Sequence, residues 1–279
     1  MNWIYAIAND LKHIAMLTWQ NIRGVTDDEF DKPWELHTDG KSSVIILLHG
    51  SAANQNEWKE SEIYLKKHFS DHPIYAFSMD LKFDVETGRQ INIYGKYCHS
   101  LKSRRVCEKR NASIDEYTHT LNDYVSFLNA RYPGRDIVLI GHSMGGLVAV
   151  RYVSQLLSYP MSAVVKKVVT IASPLQGAPL LENRLLRSLL NTNRHQDMTP
   201  KSRMLLGMHH DLVGSPRKQN LEIRCFASQQ DIHVPVEYAR LDCEPNDNEV
   251  IAQYGHFSIV NSAVLWDRCA QFVKNSIIK

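Results

Sequence analysis

The tightest constraint in this chain is six residues long: Gly141-His142-Ser143-Met144-Gly145-Gly146. Asp136 to Ile140, an apolar run rich in β-branched residues, leads directly into it, and an apolar stretch through about Leu157 follows. The first run has the length and composition of a buried strand, and the second is long enough for a helix. A strand that passes into a helix so abruptly leaves no room for side chains on the inside of the turn. Gly141 and Gly145 meet that demand, and Gly146 lets the helix lie close to the strands. Ser143 then stands at the carboxyl end of a strand and at the amino end of a helix, where backbone N–H groups face developing negative charge.

The rest of the chain repeats the same alternation. Val44 to Leu48, Ile74 to Met79, Val164 to Ala172, Leu221 to Ala227 and Glu249 to Ala252 read as strands. Residues 57–69, a stretch opened by the capping box Ser113-Ile114-Asp115-Glu116 and stopped by Pro133-Gly134, and Ser258 to about Ile277 read as helices. Strands alternating with helices predict an α/β fold, a mostly parallel sheet covered on both faces. With 279 residues, 44% hydrophobic and 22% charged, the chain is long enough for one such domain over 1–279, with a core that needs no staples.

Three segments stand outside that alternation. Residues 1–30 contain an amphipathic helix at 3–23, with Ile4, Ile7, Leu11, Ile14, Thr18 and Ile22 on one stripe. It either docks on the domain or makes peripheral contact with a membrane, and its polar face is not especially basic. Residues 82–112 form a polar, basic insertion with Arg104, Arg105, Lys109 and Arg110, expected to run over the surface as a solvated loop. Residues 175–220 separate two core strands and form a cap. Leu181, Leu185, Leu186, Leu189 and Leu190 recur there at helical spacing, either as a lid over an acyl pocket or as plain packing.

Several function classes are excluded at this stage. A formal net charge of +2 and the lack of a long basic run argue against a nucleic-acid partner. No Gly-x-Gly-x-x-Gly or Walker pattern is present, and no cofactor or metal is implied. Cys98, Cys107, Cys225, Cys243 and Cys269 are odd in number and lack Cys-x-x-Cys spacing, which argues against zinc and for a reducing compartment. A Cys98–Cys107 pairing stays open. The start of the chain lacks the pattern of a cleavable signal, and no run reaches the ~18–20 apolar residues of a membrane span. A cytoplasmic protein is expected.

A serine hydroxyl attacks at neutral pH only when a base takes its proton and donors hold the resulting oxyanion. The base in turn needs a carboxylate that fixes its tautomer. Asp231 lies just past the strand Leu221 to Ala227, at the rim where open sheets carry their sites. His256 follows the short last strand, in Tyr254-Gly255-His256-Phe257-Ser258, where Gly255 permits a bend. Asp242 and Asp247 are weaker acids because neither follows a strand. His49 and His142 are expected to be structural. His209 and His210 fall in the cap, and His233 is a loop residue. The oxyanion donors are expected from the backbone of Met144 and of Ser51, with Ala52 the alternative to Ser51. Activity then falls on acidification, because only unprotonated imidazole accepts a proton.

Together these residues resemble the α/β-hydrolase superfamily from about Val44 onward. Within it the chain is similar to bacterial lipases and to lipases related to inositol deacylases. Gly-His-Ser-Met-Gly-Gly at 141–146, Ser173-Pro174-Leu175-Gln176-Gly177 and the cap stretch Asp197 to Leu205 carry the likeness. Many relatives have His where Leu175 stands, and the basic insertion has no counterpart. The resemblance implies a serine esterase acting on acyl esters, including those of lipids, through Ser143, His256 and Asp231. A thioesterase or protein deacylase would use the same three residues. A lipid-binding protein without catalysis is the reading from a different class.

Overall fold

The computed structural model describes residues 32–51, 53–91, 112–157, 164–183, 192–214, 221–241 and 248–275. The amphipathic helix expected within 1–30, the basic part of the insertion, Ala52, Leu185 to Leu190, Asp242, Asp247, and Cys98, Cys107 and Cys243 lie outside them.

Among the described residues, nine strands and six α-helices follow one another. The strands are β1 (Trp34–Leu36), β2 (Val44–Leu48), β3 (Ile74–Phe77), β4 (Lys82–Asp84), β5 (Arg89–Ile91), β6 (Ile137–His142), β7 (Val165–Ile171), β8 (Glu222–Ser228) and β9 (Asn248–Ile251). The α-helices are α1 (Glu62–His68), α2 (Ile114–Arg131), α3 (Met144–Leu157), α4 (Asn193–Asp197), α5 (Arg203–Gly214) and α6 (Ala263–Lys274). Seven strands form one sheet in the order β1-β3-β2-β6-β7-β8-β9. All of its pairs are parallel except β1 with β3. The mostly parallel α/β sheet expected from the alternation is the one observed.

Period-two alternation sorts the central strands between two cores. Val44, Ile46 and Leu48 of β2 and Ile137 and Leu139 of β6 face a cluster with α2, α3 and α5. Ile45 and Leu47, with Val138 and Ile140, face the opposite cluster, which includes Leu65 of α1 and Trp266 and Cys269 of α6. Because both faces are covered, these strands are apolar throughout. Aromatic rings fill the first layer: Phe77 stacks on Tyr124 at 3.8 Å. In the second, Trp58 meets Trp266 edge to face.

Helix α2 starts where the capping box places it. Ser113 Oγ accepts from Glu116 N–H at 3.2 Å, and Ser113 N–H donates to the Glu116 carboxylate at 2.7 Å. Elsewhere the boundaries differ from expectation. The helix expected at 57–69 is a 3-10 turn, Gln55–Lys59, followed by α1. The closing helix begins as a second such turn, Ser258–Asn261, and α6 starts anew on the Ser262 cap. In the cap stretch Asp197 to Leu205, Pro200 separates α4 from α5. Trp34–Leu36, outside the strands read from the sequence, adds an edge strand.

The insertion also departs from a solvated loop over its described part. β4 and β5 form an antiparallel hairpin that turns on Gly88 (φ 68°). Gln90 is buried and ties the hairpin to the core: its Oε1 accepts Ser78 N–H at 2.6 Å, and its Nε2 donates to Gln55 at 2.6 Å. Among the described residues no helix is long and apolar enough to cross a membrane.

Candidate active site

Parallel strands bring their carboxyl ends to one edge of a sheet, and the loops that follow them share that edge. Ser143 follows β6 directly, Asp231 comes three residues after β8, His256 five after β9, and Ser51 three after β2. This shared polarity gathers residues up to 205 positions apart in the chain.

The turn carrying Ser143 is as tight as its glycines imply. Ser143 adopts φ 51°, a left-handed conformation that costs an L-residue roughly 1–2 kcal/mol. Its N–H donates to Ile171 O at 2.8 Å, pinning the turn to β7. A Cβ on Gly141 would overlap the backbone of Gly145 and Gly146, and one on Gly145 would overlap Leu48 O. A Cβ on Gly146 would collide with Ser173 Oγ. Backbone therefore packs on backbone at Gly141 and Gly145, while Gly146 makes room for the Ser173 side chain.

One line of hydrogen bonds crosses the site. Ser143 Oγ lies 2.9 Å from His256 Nε2, and His256 Nδ1 lies 2.7 Å from Asp231 Oδ2. The other carboxylate oxygen, Asp231 Oδ1, accepts the N–H groups of His233 and Val234, each at 2.8 Å. The loop thus folds around its own acid and aims the free oxygen at the imidazole. Asp231 and His256 are buried, while Ser143 is half-buried. In the turn that delivers His256, Gln253 takes φ 70°, two positions before the glycine that suggested a bend.

The two expected oxyanion donors sit on adjoining backbone. Met144 is the first residue of α3, so its N–H has no acceptor within the helix. The loop carrying Ser51 lies against the elbow: a Cβ on Gly50 would stand 3.3 Å from Ser143 Cβ. Ser51 itself is half-buried.

Three further histidines and one acid surround this line. His142 Nδ1 lies 2.7 Å from Glu57 Oε1, with both side chains fully buried. His49 bridges Met79 N–H and Gly50 O. His233 is a loop residue as expected, and its ring lies 5.2 Å from that of His256. Glu57 was not legible in the sequence, where an acid near the start of a helical pattern reads as a solvated charge. In the cap, His209 Nε2 meets Leu175 O at 2.8 Å, and Leu175 is fully buried. Among the described residues no group of three or more His, Cys, Asp or Glu is placed to hold a metal ion.

Comparison with known proteins agrees with this architecture. Solved structures of similar fold include a bromoperoxidase from Bacillus anthracis, with a TM-score of 0.54 and 15% identity over 87% of this chain and 95% of the other. A lipase-esterase related protein from Clostridium acetobutylicum has a TM-score of 0.52 and 17% identity, covering 87% of this chain and 98% of the other. An alpha/beta hydrolase enzyme from the sediment metagenome of the Mar Chica lagoon, Morocco, has a TM-score of 0.52 and 17% identity, covering 87% and 94%. No curated protein matches the sequence. Residues 37–224, well over half of the chain, match the family described as alpha/beta hydrolase of unknown function (DUF915), and the chain belongs to that family.

Proposed function

We propose that this protein is a serine hydrolase that cleaves carboxylic esters. The observation that carries the proposal is the unbroken line from Ser143 Oγ through the His256 ring to Asp231, at 2.9 and 2.7 Å. His256 Nε2 takes the hydroxyl proton as Ser143 Oγ adds to the ester carbonyl. Asp231 keeps the proton of the ring on Nδ1 and steadies the imidazolium that forms. The N–H groups of Met144 and Ser51 receive the negative oxygen of the tetrahedral intermediate. Its collapse expels the alcohol, which leaves with the proton from His256, and an acyl group stays on Ser143. Water, deprotonated by His256, then releases the acid and restores the serine.

Acyl esters, including those of lipids, are the proposed substrate class. Support comes from the cap: on α5, Leu206 and Val213 are exposed by 59% and 70% and lie two turns apart on one face. Such a face suits contact with a lipid-like substrate phase. The lipase-esterase related protein among the structures of similar fold is consistent with this class.

The test is turnover of p-nitrophenyl esters of increasing chain length by the wild type and by Ser143→Ala. The wild type is expected to hydrolyse them and to react with a fluorophosphonate. Ser143→Ala is expected to keep the fold and to lose about 10⁴-fold or more in kcat. Equal turnover by the two proteins would sink the assignment.

A further inference from the structure

The second acid–histidine couple has a hydrogen-bond arrangement that leaves its ring little choice. Glu57 rises from the 3-10 turn Gln55–Lys59 into the space behind the elbow. Its Oε2 accepts Gly50 N–H at 2.8 Å and its Oε1 faces His142 Nδ1 at 2.7 Å. The other ring nitrogen, His142 Nε2, faces the backbone oxygen of His256 at 2.9 Å. A carbonyl only accepts, and so does a carboxylate. For both contacts to be hydrogen bonds to an ionised Glu57, the ring must donate from both nitrogens and therefore be an imidazolium. Burial acts against both charges, pushing the Glu57 carboxyl up and the His142 ring down. Mutual attraction outweighs it, so Glu57 lies below the usual carboxylate range and His142 above the usual imidazole range.

This couple reaches two parts of the site at once. Met79 N–H donates to His49 Nε2 at 2.9 Å, so the His49 proton sits on Nδ1 and is donated to Gly50 O at 2.8 Å. Gly50 O and Ser51 N–H belong to one planar trans peptide and point in opposite directions. Holding the oxygen therefore aims the Ser51 N–H. Glu57 holds the preceding peptide through Gly50 N–H. At its far end the couple grips the main chain of His256 itself.

We propose that Glu57 and His142 are positioning residues, an ion pair that locks the loop bearing the Ser51 N–H to the backbone of His256. The proposal rests on the hydrolase reading of Ser143, His256 and Asp231. Neither residue touches the reacting atoms. Their effect is to keep the oxyanion donor and the base in register, so their loss is expected in kcat rather than in KM.

Two measurements on the full chain test it. In protein carrying ¹⁵N-histidine titrated upward from the ordinary imidazole value of about 6.5, one ring is expected to keep both nitrogens protonated after the others have lost a proton. That signature is expected to vanish in Glu57→Gln, whose amide can donate to Nδ1 of a neutral ring and still accept Gly50 N–H. The absence of such a ring in the wild type would overturn the ion pair. With a short p-nitrophenyl ester, Glu57→Leu is expected to lose about 10²-fold in kcat, the scale of one oxyanion donor, at nearly constant KM. Glu57→Gln, which keeps each hydrogen bond but removes the charge, is expected to lose about three- to tenfold. A folded Glu57→Leu with wild-type kcat would overturn the positioning role. If that variant does not fold, Glu57→Gln decides: wild-type kcat overturns the role and a several-fold loss at constant KM supports it. Should the wild type neither hydrolyse esters nor react with a fluorophosphonate, the hydrolase reading fails and the positioning role falls with it. The nitrogen spectra need no turnover and still decide whether the ion pair exists.

Discussion

Two carboxylate–histidine couples lie side by side, their imidazole centres 5.1 Å apart, and they differ in what the second ring nitrogen meets. In Asp231–His256 it meets the Ser143 hydroxyl, which can give up a proton. In Glu57–His142 it meets a peptide carbonyl, which cannot. The acids are held alike, each with its other oxygen on backbone N–H groups. The same pair of side chains thus suits proton exchange in one place and fixed charge in the other. One partner atom decides which.

The largest effect that would separate the couples is expected from Asp231→Asn. The asparagine oxygen can keep the N–H groups of His233 and Val234, which leaves its amide facing His256 Nδ1. The ring proton then moves to Nε2, and the base becomes a donor toward Ser143. A loss of about 10⁴-fold in kcat is expected with little change in stability. The same neutralisation at Glu57 is expected to cost about three- to tenfold. Similar losses from Asp231→Asn and Glu57→Gln, measured by steady-state kinetics, would erase the distinction.

Stability should rank the couples the other way. Glu57→Leu leaves His142 buried opposite an apolar group and is expected to cost about 3–5 kcal/mol in chemical denaturation. The pH dependence follows from the directions of the two shifts. The Glu57 value is depressed in the fold, so its contribution is complete above the unfolded carboxyl value and disappears as pH falls through the folded one. The His142 value is raised, so its contribution is complete below the unfolded imidazole value and disappears as pH rises through the folded one. Both are complete between about pH 4.3 and pH 6.5. The gap in stability between wild type and Glu57→Leu should be widest there and should narrow at either extreme. A gap independent of pH would remove the charge from the account.

Smaller effects sharpen the contrast at the atoms the couples face. Ser143→Gly relieves a left-handed residue and is expected to raise stability by about 1 kcal/mol while abolishing turnover. Unchanged or lower stability by thermal denaturation would mean that the φ of 51° is not a source of strain. Replacing Leu206 and Val213 together by serine should change stability by no more than about 0.5 kcal/mol, because both are exposed. The expected change is kinetic: slower hydrolysis of long-chain esters above their solubility limit, with short soluble esters unaffected. Equal rates on both would separate the cap from substrate contact.

Much of the fold was legible because its signals are local. The strand limits Val44 to Leu48 are those observed, and the capping box Ser113 to Glu116 closes as the pattern implies. The helix break near Ser262 was missed because apolar residues continue across it. The hairpin of β4 and β5 was missed because its buried anchor is polar: Gln90 is tied to Ser78 and Gln55, and hydropathy cannot register that.

In the candidate site the split is similar. Residue order alone determined that a serine would stand on a glycine-packed turn and that Asp231 and His256 would follow strands, because these depend on near neighbours and on the shared direction of parallel strands. Only the tertiary structure decided that Glu57 and His142 would meet, that both His142 nitrogens would face acceptors, and that His49 would hold Gly50 O. A histidine's state is set by the atoms opposite its two nitrogens. Here those atoms belong to residues 85 and 114 positions away, beyond the range of any local pattern.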